Sequence, residues 1–76
     1  MDELMEILEE LRPDIDFETE KELVSGRKIS SFDVISIVTE IDEVFDVKVK
    51  PAELIPENFD SAEAIWAMIQ RLQDEF

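Results

Sequence analysis

Two adjacent serines, Ser30 and Ser31, stand between Lys28-Ile29 and Phe32-Asp33. A serine hydroxyl is a useful nucleophile only when a neighbouring base takes its proton. The chain has no histidine, cysteine or tyrosine, and the sequence places no lysine to act as that base. Ser31 therefore does not activate itself, but it can accept a phosphodiester from another enzyme. Ser30 has the type and spacing of a helix N-cap, with Asp33 three residues on in an aspartate version of the capping box. Ser31 is then the first helical residue, where backbone N–H groups and the helix dipole favour a phosphate-bearing group. The residues alone leave two readings: the serines are a redundant cap, or Ser31 is a modification site.

Other chemistry finds little support. Glu9/Glu10 and Asp42/Glu43 are adjacent carboxylates on solvated faces, and acid–base work by such a pair needs a cleft. The acidic stretch from Asp14 to Glu22 lacks the Asp-x-Asp-x-Asp-Gly order and closing glutamate of a calcium loop. Weak surface cation binding suits it, and a structural metal site does not. One glycine cannot build a glycine-rich phosphate loop. The expectation is a chain with no catalytic residue and no metal site.

The elements that must position Ser31 follow from hydrophobic spacing. Leu4, Ile7, Leu8 and Leu11 mark a helix from Asp2 to Arg12, stopped by Pro13. A long loop runs from Asp14 to Ile29, pegged by Ile15, Phe17, Leu23, Val24 and Ile29. A helical turn is expected near Glu20 to Val24, and a tight turn or positive φ at Gly26. The central helix spans Ser30 to Phe45, with Val34, Ile37, Val38, Ile41, Val44 and Phe45 on a stripe about 120° wide. Phe32 and Ile35 fall outside it, among Ser36, Thr39 and Asp42. Either the loop or the third helix covers them, or they form a small apolar docking patch ringed by acid. Val47 to Lys50 reads as an extended connector. Pro51 opens a helical turn that Pro56 closes. Asp60, with Glu63 at the third position, is expected to cap a last helix whose inner face carries Ala62, Ile65, Trp66, Ile69, Leu72 and Phe76.

Composition bounds the class. Seventy-six residues make one domain, 1–76, and 45% hydrophobic content suffices for a modest core. The 21 acidic residues against 7 basic ones give a formal charge of −14, which disfavours nucleic acid and anionic membranes and favours basic protein partners. No apolar run reaches membrane-spanning length. Met1-Asp2-Glu3 lacks the basic stretch of a signal peptide, so a cytoplasmic monomer is the expectation.

These features stand in an order that resembles the acyl carrier and peptidyl carrier protein superfamily, with some likeness to the D-alanyl carrier proteins. The likeness runs from about Met1 to Gln73. It rests on the amphipathic first helix, on Leu23-Val24-Ser25-Gly26 closing the loop, and on Ile29-Ser30-Ser31-Phe32-Asp33. It also rests on Glu40-Ile41-Asp42-Glu43-Val44-Phe45-Asp46 before Val47-Lys48-Val49, and on the helix after Phe59-Asp60-Ser61. The resemblance implies an all-α bundle of three main helices plus one or two short ones, with a long first loop. It implies a non-catalytic carrier with a covalent 4′-phosphopantetheine arm on Ser31, attached by a phosphopantetheinyl transferase using magnesium and coenzyme A. The arm carries acyl or aminoacyl groups as thioesters. The expected partners are that transferase, a loading ligase or transferase, and downstream synthase enzymes with basic surfaces. The docking residues so implied are Phe32, Asp33, Ile35, Asp42 and Glu43, with Ser36 and Thr39 on the same helix surface. Phe32, Ser36 and Thr39 lean toward a specialised carrier loaded by an adenylating ligase and away from the central fatty acid pathway. One departure stands out. The family's core motif begins with aspartate, and Ser30 occupies that place here. Ser30 keeps the cap and loses the charge. The alternative expectation is thus a carrier-like interaction module that is poorly or never modified.

Overall fold

The computed structural model describes residues 2–74. The order is α1 (Asp2–Leu11), a long loop, α2 (Ser31–Phe45), a 3₁₀ turn (Pro51–Glu53), the short α3 (Pro56–Phe59) and α4 (Ala62–Asp74). Phe76, expected on the inner face of the last helix, lies outside the described residues. The fold is a small helical bundle of three main helices and one short one. α1 packs on α2 and α4, and α3 packs on α4. The radius of gyration is 11.3 Å, close to the roughly 11 Å of a compact chain this long.

The core gathers one apolar face from each helix. Leu4 and Leu8 of α1, Ile37 and Ile41 of α2, and Ile65, Met68 and Ile69 of α4 are fully buried. Phe17, Leu23 and Ile29 from the long loop and Phe59 from α3 join them. The loop is therefore part of the body, as its apolar pegs require. Val47 and Val49 are also buried within an irregular extended connector.

Several elements differ from expectation. Val44 is 44% exposed: the stripe on α2 is wider than the groove that receives it, and Val44 lies at its outer edge. Trp66 is half-buried and meets Phe45 edge to face, centroids 5.8 Å apart. It closes the rim of the bundle, while Met68 takes an inner position of α4. Pro56 does not close the Pro51 turn but opens α3, where its missing N–H would have no helical partner in any case. The expected turn at Glu20–Val24 lies later, with the Gly26 N–H donating to the Glu22 carbonyl at 2.7 Å. A Cβ on Gly26 would stand 2.6 Å from that carbonyl oxygen, so close approach explains the glycine. The left-handed residue is Arg27, at φ 58°.

The clearest correction concerns Asp60. Ser61 caps α4, its Oγ accepting from the Ala64 N–H at 3.0 Å. Asp60 instead accepts from the Val24 N–H, the Ser25 N–H and the Ser25 hydroxyl, at 3.0, 2.8 and 2.7 Å. Those bonds, the Ser25 N–H first and then its hydroxyl, hold the Asp60 carboxyl below its ordinary range. Glu63 pairs with Lys21 in place of a capping role. Asp60 and Glu63 thus tie the long loop to the start of α4.

Candidate functional site

The N-terminus of α2 divides the two serines by role. Ser30 sits outside the helix at φ −96°, ψ 173°. Its Oγ accepts from the Asp33 N–H at 3.3 Å, and Asp33 Oδ2 accepts from the Ser30 N–H at 2.9 Å. Both halves of the capping box are present. Ser31, the first residue of α2, is exposed and has no cap to make. The divergence follows from phase: a cap oxygen must reach back to the third helical N–H, which only the residue before the helix can do.

Asp33 is tied further. Arg12 Nη1 donates to its Oδ2 at 2.7 Å while Arg12 Nε and Nη2 reach Asp14, each at 3.0 Å. The Ser30 N–H first, and then the Arg12 charge, hold the Asp33 carboxyl below its ordinary range. Arg12 is thereby a strut from the end of α1 to the mouth of α2.

Ser31 lies on the ridge between two concavities. On one side is a cleft of about 380 Å³, lined with apolar side chains from Val24, Val34, Ile35, Leu54, Ile55 and Phe59. On the other is an open hollow of about 630 Å³, lined by Arg12, Arg27, Lys28 and Asp33 together with Val24 and Ile29. Ser30 and Ser31 border both. Beside them the surface is apolar: Phe32 is 76% and Ile35 59% exposed, and Leu54 and Ile55 are each 43% exposed.

The remaining site residues separate along α2. Thr39 donates its hydroxyl to the Ile35 carbonyl at 2.9 Å, and Ser36 is half-buried. Asp42 accepts from the Val49 N–H at 3.2 Å, pinning the connector after α2. Glu43 is exposed. Eleven residues at helical rise put Asp42 about 16 Å from Ser31 along the axis. The structure therefore groups Ser31, Phe32, Asp33 and Ile35 at one end, and sets Asp42 and Glu43 at the other. Of the three acidic positions, Asp33 and Asp42 already hold internal donors, and Glu43 projects into solvent.

Leu54, Ile55, Pro56 and Phe59 escaped sequence reasoning as site residues. They reach the site because the connector and α3, packed on α4, lie across the cleft from the first turn of α2, and no local spacing encodes that placement. Arg27 escaped too, although an Arg27-Lys28 pair just before the two serines is a visible signal in so acidic a chain. Among the described residues no cluster of carboxylates has the form of a metal site, and no helix is long and apolar enough to cross a membrane. No protein-family model, curated protein or solved structure matches the chain.

Proposed function

We propose that this chain is a carrier protein, modified on Ser31 with a 4′-phosphopantetheine arm and not itself catalytic. The observation that carries this reading is the division of labour between the serines. Ser30 holds the cap, so Ser31 keeps an exposed hydroxyl without structural duty, between an apolar cleft and a cationic hollow. That surrounding suits the arm, which combines a phosphate with a long, largely uncharged chain. Ser31 would hold it covalently, with Val24, Ile35, Leu54, Ile55 and Phe59 as the apolar wall beside it. When bound, the arm supplies a terminal thiol that carries acyl or aminoacyl groups as thioesters.

In the loading step the Ser31 Oγ attacks the phosphorus of coenzyme A that bears the pantetheine. A new P–O bond forms at Ser31, the P–O–P link breaks, adenosine 3′,5′-bisphosphate leaves, and the serine proton passes to a base on the transferase. Such a base must come from outside, since no histidine is present. Phe32 and Ile35 form the apolar grip for basic partner enzymes, with Asp33 and half-buried Ser36 beside it. Thr39 follows along the helix, and Asp42 and Glu43 carry its negative charge. The proposed setting is cytoplasmic and monomeric.

The test is intact-mass measurement after incubation with a broad-specificity phosphopantetheinyl transferase, magnesium and coenzyme A. One arm is expected on the wild type and none on Ser31→Ala. No gain by the folded wild type, or an arm on the Ser31→Ala protein, overturns the reading. A second reading rests on Ser30 and Asp33. The residue before Ser31 is neutral, and the nearest carboxylate is already engaged by Arg12. A chain that stays unmodified under that transferase yet binds a basic protein through Phe32 and Ile35 is an interaction module.

A further inference from the structure

The seven cations of this chain are unevenly placed. Lys21 is paired with Glu63 and Arg71 with Glu53, and none of the four lines the hollow beside Ser31. Arg12, Arg27 and Lys28 line one hollow, with Asp33 the sole carboxylate on its wall. Asp14 also reaches Arg12 from outside the hollow, so three positive charges stand against two negative, in a molecule whose net charge is −14. Among the described residues, Arg27 and Lys28 form no salt bridge. Acidic side chains are plentiful in the long loop, so a pair left over beside Ser31 is a local excess.

We propose that the hollow formed by Arg12, Arg27 and Lys28 is a phosphate site, whose resident is the phosphodiester formed on Ser31. The proposal rests on the carrier reading for its resident, and on the hollow itself for the phosphate chemistry. Ser31 borders the hollow directly, so a phosphate on its oxygen stands at the hollow's edge. Arg27 and Lys28 supply charge that no carboxylate among the described residues pairs with. Arg12 is already engaged by Asp14 through Nε and Nη2 and by Asp33 through Nη1, so it adds positive charge to the wall. The direct donors are Lys28 and Arg27, whose guanidinium fork matches phosphate oxygens. The opposite wall of the Ser31 ridge is apolar. The two sides therefore separate a charged head from an uncharged chain, and set the direction in which the group on Ser31 leaves the surface.

The experiment uses ¹⁵N-labelled full-length chain and reads amide and arginine Nε–H resonances. Unmodified wild type is titrated with inorganic phosphate at constant ionic strength. Saturable movement at Arg27, Lys28 and Ser31 is expected, with affinity about tenfold weaker in Arg27→Gln/Lys28→Gln. These exposed positions leave the core untouched, so the double variant should keep the wild-type spectrum elsewhere. The chain is then loaded on Ser31, and the Arg27 Nε–H signal of wild type should shift on loading, with the accompanying Arg12 shift smaller in the variant. No saturable response to phosphate, or an equal response in the variant, overturns the site. Loaded wild type with unmoved Arg12, Arg27 and Lys28 signals overturns the residency and leaves the carrier reading standing. Failure to load, with phosphate still bound at Arg27 and Lys28, removes the carrier reading and upholds the phosphate site. Polyglutamate binding there more tightly than phosphate makes the hollow a dock for an acidic protein and overturns the proposal.

Discussion

The two ends of α2 are built to opposite specifications. At the C-terminal end Phe45 stacks edge to face on Trp66, Val47 and Val49 are buried, and Asp42 pins the connector through the Val49 N–H. At the N-terminal end Phe32 and Ile35 lie open, and two concavities meet at Ser31. Both ends use an aspartate to hold backbone N–H groups, yet the first packs Phe45 on Trp66 and buries Val47 and Val49, leaving only Val44 at its edge, whereas the second leaves Phe32 and Ile35 open. One helix thus combines a fixed seat with a presenting tip. The order at the tip comes from polar links, namely the capping box, the Arg12 strut and the Asp60 tie to Val24 and Ser25.

The largest contrast should appear in side-chain truncation. Ile41→Ala removes a fully buried side chain and should destabilise by about 2–5 kcal/mol. Phe32→Ala at the open tip should change stability by no more than about 0.5 kcal/mol. Urea unfolding of both variants checks this, and comparable losses would abolish the distinction between the ends.

Next in size is the cap. Ser30→Ala should cost about 1 kcal/mol in the same assay while Ser31→Ala costs little. Labelling by the transferase should follow the reverse order, retained in Ser30→Ala and absent in Ser31→Ala. Ser30→Asp restores a charged cap and should speed labelling, as measured by the initial rate of mass gain.

A smaller effect should appear with pH. The Ser25 and Val24 hydrogen bonds hold the folded Asp60 carboxyl below its ordinary value of 3.8. Between the folded and ordinary values the unfolded chain binds more protons. The stabilisation is therefore complete above the ordinary value and is lost as pH falls through the folded one. Asp60→Asn should be less stable than wild type at neutral pH, with the gap narrowing in acid below 3.8. A gap that stays constant across an acid series of melting curves would mean that Asp60 does not tie the wall of the tip through its charge.

The smallest effect should be ionic. A net charge of −14 on so small a body opposes compaction, so added salt or millimolar magnesium should raise the melting temperature by roughly a few degrees. Calorimetry at low and moderate salt checks it, and an unchanged midpoint removes self-repulsion as a force in this fold.

What the sequence determined by itself is what depends on neighbours within about four residues. Ser30, Ser31 and Asp33 set the cap and the phase of α2 because their hydrogen bonds close within one helical turn. Pro13 ends α1, and the spacing of Leu4, Leu8, Ile37, Ile41, Ile65 and Ile69 marks the buried faces. Gly26 marked a tight turn, though the close Glu22 carbonyl, and not a positive φ, is its reason. Only the tertiary structure decided the rest. Asp60 looked like a helix cap, and serves donors 35 and 36 residues away. Arg12 meets Asp33 across 21 residues. Val44 belongs to the stripe by angle and is left out because its neighbours do not reach that edge. Leu54, Ile55 and Phe59 become walls of the cleft because α3 packs on α4 opposite the first turn of α2. Local hydrogen bonding is a function of spacing, whereas each of these long-range roles depends on where a loop is laid down, and the packing of the whole core sets that.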